Sequence, residues 1–267
     1  MARASSSHSR RLFNVAAPWL LPVLLLVVWE LASDWGYLSP RLLPAPSAIF
    51  QAGLTAWHNG SLQDALWAST QRALIGFVIG GAIGLALGFL TGLSDVASRL
   101  LDSSLQMIRN IPHLALIPLV ILWFGIGETA KDFLVALGTL FPIYLNTYHG
   151  IRNVDPKLIE MAKSYGVRGF RLFAQVILPG ALPSILVGVR FALGLMWLTL
   201  IVAETISATS GLGYMAMNAR EFLQTDVVLL TIVLYALLGK VADLLAKGLE
   251  YWWLRWHPAF QRQSGRA

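Results

Sequence analysis

Cysteine is absent from this 267-residue chain, and charge is scarce. Without cysteine there are no disulfides, no thiol nucleophile and no thiolate metal site. Only 13% of the residues are charged, about half of the ~25% usual for a soluble domain. No Gly-x4-Gly-Lys-Ser/Thr phosphate loop occurs, so a nucleotide site is not readable in the chain. Neither a Ser/His/Asp set nor a metal-ligand cluster is readable; His113 and His149 stand alone, and polar contacts suit them better than a metal. Strand-like alternation is also missing, because the apolar runs are too long to alternate.

What the chain has is hydrocarbon. It is 56% hydrophobic, with a mean hydropathy of +0.63. The apolar residues gather in runs of roughly 20, the length that crosses ~30 Å of bilayer core. The candidate spans are 16–32, 73–93, 105–124, 133–149, 185–206 and 227–249. The expected fold is an all-α polytopic membrane protein with about six transmembrane helices. Residues 1–15, rich in Ser and Arg, read as a disordered N-terminus, 16–250 as the membrane domain and 251–267 as a C-terminal tail. The third span is interrupted by Arg109, Asn110, Pro112, His113 and Pro118, which predicts a broken or partly interfacial segment.

Basic residues resist translocation and so orient the chain. With the N-terminus in the cytoplasm, the inside segments hold 14 Lys and Arg, Arg3, Arg10, Arg11, Arg262 and Arg266 among them. The outside segments hold 4: Arg41, Arg72, Lys131 and Arg220. Both termini and the loop around Glu160 are therefore expected on the cytoplasmic side of the membrane. The net charge of +6 is then topological, and no nucleic acid partner is implied. The first span has the basic start of a signal peptide, but no small-x-small pair closes it in Trp29-Glu-Leu-Ala-Ser-Asp34. Residues 34–69 form the main external connection, extended around Pro40, Pro44 and Pro46, with 62–73 able to be helical.

Gly76, Gly80, Gly84, Gly88 and Gly92 recur at every fourth residue of the second span. Four residues turn a helix by about 400°, so they form a slowly drifting stripe. Glycine lets two helices approach closely in lipid, where hydrophobicity alone gives little association. The stripe predicts a tight helix–helix interface, a smooth pathway wall being the alternative. Arg190 falls within the fifth span, and Lys240 and Asp243 within the sixth. Charges there are costly unless paired or solvated. Asp243 is the expected partner of Arg190 or Lys240; the alternative makes Arg190 an anion contact on a pathway. Glu204, before the polar run 207–210, either lines an outer vestibule or marks a helix end.

Between the fourth and fifth spans lies a polar, basic stretch near 152–180. It contains Glu160-Met-Ala-Lys-Ser-Tyr-Gly166 and Val176-Ile-Leu-Pro179. Gly166 allows a tight reversal, and Pro179 is expected to end the segment before span five. The spacing Glu-x-Ala-x3-Gly-x9-Val-x-Leu-Pro resembles the coupling loop of bacterial ABC-importer permeases. Met161 and Val176 stand where that pattern has Ala and Ile. The stretches 114–125, 133–144 and 195–205 are also similar to permeases of the nitrate/sulfonate/taurine group, the aliphatic sulfonate permeases above all.

The resemblance implies an ABC type I importer fold. It also implies a homodimer, two cytoplasmic ATP-binding subunits and a periplasmic substrate-binding protein. Glu160, Ala162, Gly166, Leu178 and Pro179 would then serve ATPase coupling. ATP would be bound by the partner ATPase, with no cofactor on this chain, and substrate choice would fall mainly to the binding protein. Taurine, nitrate and other small anions remain alternatives to sulfonates. A secondary transporter would need coupling carboxylates near the midplane, whereas Glu204 and Asp243 fall near opposite ends of their spans. A membrane-embedded enzyme lacks a readable catalytic set. A purely structural subunit would not need the motif-bearing loop.

Overall fold

The computed structural model describes residues 5–256. Helix α1 spans Ser5–Asp34, α2 Pro46–His58, α3 Ser61–Leu93, α4 Asp95–Arg109, α5 Ile117–Phe124 and α6 Glu128–Arg152. Beyond them come α7 Pro156–Ser164, α8 Gly169–Leu172, α9 Leu178–Ser207, α10 Leu212–Glu221 and α11 Thr225–Trp253. No strand occurs among the described residues, as expected of an all-α chain. Residues 1–4 and 257–267, with Arg3, Arg262, Arg266 and most of the 251–267 tail, lie outside the described residues.

The backbone divides into two units. The smaller comprises the described residues up to Gln63 with Met215–Ile232, the larger Asp64–Tyr214 with the described residues from Val233. In the smaller unit, Glu30 of α1 accepts the Ser47 backbone N–H at 3.0 Å and so caps the start of α2. Gly53 of α2 faces Leu230 of α11; a Cβ there would lie 3.1 Å from the leucine side chain. Helix α1 corrects one expectation: residues 5–15 are helical rather than disordered. Once the apolar run has nucleated a helix, extension costs little per residue, and Arg10, Arg11, Leu12 and Ala16 are fair helix formers.

In the larger unit α6 is the central rod. Its neighbours are α3 on one side and α9 on another. The stripe Gly76, Gly80, Gly84, Gly88 and Gly92 lies directly against α6. A Cβ at Gly84 would stand 2.5 Å from the Leu140 carbonyl oxygen, and one at Gly88 2.5 Å from Thr147 Cβ. At Gly80 it would collide with the Ala136 carbonyl and Thr139 Oγ1. Toward α9 the small residues alternate between partners. Gly150 approaches the Ala181 carbonyl, and Gly188 approaches the Pro142 carbonyl, each at 2.9 Å from a built Cβ. Close backbone approach, not apolar area, holds these helices together. Two apolar clusters finish the packing. Ile117, Val120, Ala130, Leu134 and Ala203 join α5, α6 and α9. Ile151, Val154, Ala181 and Ile185 join the end of α6 to α9.

Three helices are long and apolar enough to cross a membrane among the described residues: Ser61–Leu93, the continuous Gly169–Ile206 and Thr225–Trp253. The expected third span is indeed broken. Helix α4 and the segment His113–Phe124 meet at 77°, because Pro112 cannot continue a helix and Asn110 ends α4. Helix α4 starts at a Ser94 N-cap whose hydroxyl accepts the Ala97 N–H and is amphipathic, with no buried residue. Helix α6 is 25 residues long, about 37 Å at 1.5 Å per residue, but buries much of its surface in protein.

The fifth span departs from expectation at its start. Pro179 does not end a segment ahead of it. Helix α8, a π-helical turn over Phe173–Ile177 and α9 run on as one 38-residue path. Proline at 179 offers no N–H to the carbonyl of Gln175 and crowds it. The wider π turn accommodates that defect, so the helix continues instead of stopping.

Candidate functional sites along α9

The first site is the segment between α6 and α9. Asp155 accepts the Lys157 backbone N–H at 2.9 Å, and Pro156 takes the first helical position, so α7 begins sharply. It ends as sharply. Gly166 has φ +82, its N–H bonds the Lys163 carbonyl at 3.0 Å, and the Val167 N–H reaches the Ala162 carbonyl at 3.0 Å. This six-to-one plus five-to-two pattern with a left-handed glycine is a Schellman stop. A Cβ at Gly166 would meet no atom within 4 Å, so φ, rather than space, calls for glycine there.

Helix α7 is pinned from one side only. Ala162 is its sole buried residue among those described, and Ile159 packs on the Ile151/Val154/Ala181/Ile185 cluster with Leu178. Glu160 is exposed, as are Leu158, Met161 and Tyr165. Phe170 of α8 is exposed as well. The result is an apolar and aromatic patch carrying one carboxylate, on a rigidly capped helix. Exposed apolar groups of this kind suit contact with a protein or with a membrane surface. Nearby, Arg152 at the end of α6 pairs with Asp95 at the start of α4. That hydrogen bond and charge hold the Asp95 carboxyl below the usual carboxylate range.

The second site lies at the other end of α9. Glu204 is neither a vestibule residue nor a mere helix-end marker, because its side chain is 0% exposed. It accepts from Ser69 Oγ at 2.8 Å, Arg72 Nη1 at 2.7 Å, the Gly213 N–H at 2.9 Å and Tyr235 Oη at 2.9 Å. Arg72 spends all five N–H donors, on Glu204, Glu128 and both the carbonyl and hydroxyl of Ser210. Glu128 also accepts from the buried Lys131 at 2.8 Å. Arg72 and Lys131, expected as charges of external segments, are thus buried in protein.

The buried Arg72 pairs with the buried Glu204 and with the more exposed Glu128, which also pairs with the buried Lys131, and such pairing is how charged groups tolerate burial. The turn before α10 wraps over them: Gly211 has φ +103, and a Cβ on it would strike Glu204 and Arg72. Sequence reasoning did not single out Ser69, Glu128 or Tyr235, and named Arg72 only as an external charge. The available signal was two carboxylates and one arginine falling at the same end of three predicted spans, beside Gly211-x-Gly213.

A third charged group sits along the middle and start of α9. Arg190 donates from Nε to Asp243 Oδ1 at 2.8 Å, and its Nη2 lies 2.8 Å from the same atom. Glu250 is 3.8 Å from Arg190 Nη1. Lys247 holds the other Asp243 oxygen at 2.9 Å, with Lys240 at 3.9 Å. Lys247 and Glu250, one and two turns beyond Asp243, complete a cluster for which only Arg190, Lys240 and Asp243 had been named.

Long apolar helices and a glycine-packed central rod together define a polytopic helical membrane component. The comparisons make this specific. Residues 80–253 match the family of binding-protein-dependent transport system inner membrane components, and the chain belongs to that family. It is 68% identical over 244 residues to the "Putative aliphatic sulfonates transport permease protein SsuC" of Escherichia coli (strain K12), covering 91% of this chain and 93% of that one. The Bacillus subtilis (strain 168) protein of the same description is 43% identical over 91% of this chain and 88% of its own. Among solved structures, an inward-facing form of the MetNI methionine ABC transporter aligns with a TM-score of 0.55 at 20% identity, over 69% of this chain and 94% of that one. That likeness is one of fold, the ABC type I permease fold. The chain is therefore the membrane-embedded permease component of an importer, a class that works with an ATP-binding subunit and a substrate-binding protein.

Proposed function

We propose that this chain forms the pathway of an ATP-driven importer of aliphatic sulfonates and couples to its ATPase through α7. The reading of the substrate rests on the 68% identity to a protein described as a sulfonate permease. The coupling role rests on one observation: α7, capped at both ends and anchored by Ala162, leaves Glu160, Leu158 and Met161 exposed. In this reading Glu160 and the exposed apolar residues contact the ATPase. Ala162 and Gly166 fix the shape of the helix, and Leu178 and Pro179 join it to α9. Two copies of the chain enclose the pathway, each meeting one ATPase subunit. ATP stays on those partners, both termini face the cytoplasm, and a periplasmic binding protein delivers the substrate.

The alternatives separate by assay. Reconstituted with its ATPase and binding protein, the permease should hydrolyse ATP faster with alkanesulfonates than with taurine or nitrate. Nitrate stimulation at the sulfonate level would reject the substrate reading. Uptake by the chain without any ATPase, driven by an ion gradient, would reject the ATP-driven one.

A further inference from the structure

Within the larger unit, a cavity of about 370 Å³ opens where the bend after α4 meets α6 and α9. That volume falls in the ~300–1,000 Å³ range of small-molecule sites. Its wall is mostly apolar, with Phe141, Phe191 and Leu195 supplying bulk. Three residues with polar side chains line it: Arg109, His113 and Asn146. Arg109 has no salt bridge to any described residue, unlike Arg72, Arg152 and Arg190. His113 is oriented by Thr199, with Nε2 3.1 Å from its Oγ1. Asn146 gives one amide hydrogen to the Pro142 carbonyl at 2.9 Å and keeps the other.

We infer that this cavity is a binding site for the transported anion inside the permease, taking the sulfonate head on Arg109 and the alkyl tail on Phe141, Phe191 and Leu195. The inference rests on the reading of the chain as a sulfonate permease. A sulfonate spreads one negative charge over three equivalent oxygens, which a guanidinium fork matches with paired donors. Asn146 adds a neutral donor. The alkyl chain loses water against the apolar wall without needing a shaped polar partner. No carboxylate lines the cavity, so nothing there repels the anion. Selection by tail length and charge therefore has a structural basis in this chain and does not fall to the binding protein alone.

The test uses the permease–ATPase complex in detergent, without binding protein, titrated with radiolabelled hexanesulfonate and methanesulfonate. Saturable hexanesulfonate binding is expected, weakened at least tenfold by Arg109→Gln and by a smaller but measurable factor by Arg109→Lys, which keeps the charge and loses the fork. Phe141→Ala should weaken hexanesulfonate at least threefold more than methanesulfonate, a split that simple loss of folding does not produce. Unchanged affinity in Arg109→Gln overturns the site, as does equal loss of both ligands in Phe141→Ala. Phospholipid that copurifies with the wild type but not with Arg109→Gln, with sulfonate binding unaffected, also overturns it, since the cavity then holds a lipid. Uptake by proteoliposomes of the whole system separates the two readings. Vesicles that import hexanesulfonate while the solubilised complex binds none reject the cavity alone; vesicles that import no sulfonate reject both.

Discussion

Replacing Glu204 with glutamine changes two atoms and should be among the costliest single substitutions in the chain. The carboxylate has only acceptors, and four donors converge on it. Oε1 receives Arg72 and Oε2 receives the Gly213 N–H and Tyr235 Oη. Hydroxyl donors can turn away, but Arg72 and the Gly213 N–H cannot. Whichever way the glutamine amide flips, its NH₂ faces one of these fixed N–H groups. One buried donor is then unsatisfied, at about 1–3 kcal/mol. Arg72 also loses one of its two carboxylate partners, and breaking a buried ion pair costs about 3–5 kcal/mol in all. Glu128 remains to hold Arg72, so we expect Glu204→Gln to lose about 3 kcal/mol, toward the lower end of that range. Tyr235→Phe removes a single donor and leaves three others on the carboxylate, so about 1–2 kcal/mol is expected. Denaturant titration of the purified protein in detergent, read by tryptophan fluorescence, measures both. A Glu204→Gln protein within about 1 kcal/mol of wild type, or a Tyr235→Phe protein that loses as much as Glu204→Gln, would refute the account of the cluster as one interlocked network.

Gly84→Leu should destabilise the protein by about 1–3 kcal/mol or more through overpacking against the Leu140 carbonyl, whereas Gly194→Ala, whose Cβ meets nothing within 4 Å, should be near neutral. Equal melting temperatures for the two in detergent would count against the α3–α6 contact. Arg190→Gln and Asp243→Asn should couple by about 0.5–3 kcal/mol in a double-mutant cycle on stability, and additive effects would dissolve the pair. Gly166→Leu with Glu160→Lys should leave the membrane helices assembled but cut transport and ATPase capture at least tenfold, since φ +82 at 166 resists a side chain and the charge at 160 is reversed. Wild-type pull-down of the ATPase together with normal uptake would remove α7 from the coupling role.

The helices were legible wherever composition alone decides them. Runs such as 227–249 fix a helix because a bilayer leaves the backbone no other way to satisfy itself. The glycine spacing of α3 showed a close helix contact but not its partner, since spacing on one helix contains nothing about α6. At the start of α9 the local rule that proline ends a helix yields at Pro179 to a π turn that closes two residues upstream. The Glu204 cluster was illegible for a different reason. Ser69, Arg72, Glu128, Glu204 and Tyr235 come from four helices, and the shared depth that brings them together is a property of the packed chain. Arg190 with Asp243 could be anticipated because two opposite charges at one level of adjacent antiparallel spans have few other ways to be neutralised.

The unbroken helical path from Gly169 to Ile206 has a mechanical consequence. An α-helix resists axial compression because every turn is braced by its hydrogen bonds, and 1.5 Å per residue gives about 52 Å between Gly169 and Glu204. A thrust applied beside α7 would have this one helical path to the far end. Two places would yield first: the π turn at Phe173–Ile177 and Pro183 inside α9, whose missing N–H leaves the Pro179 carbonyl without its helical partner. Both lie in the half of the path next to α7; from Ser184 onward no proline interrupts the helix before Glu204, where four donors would share any tilt that reaches them.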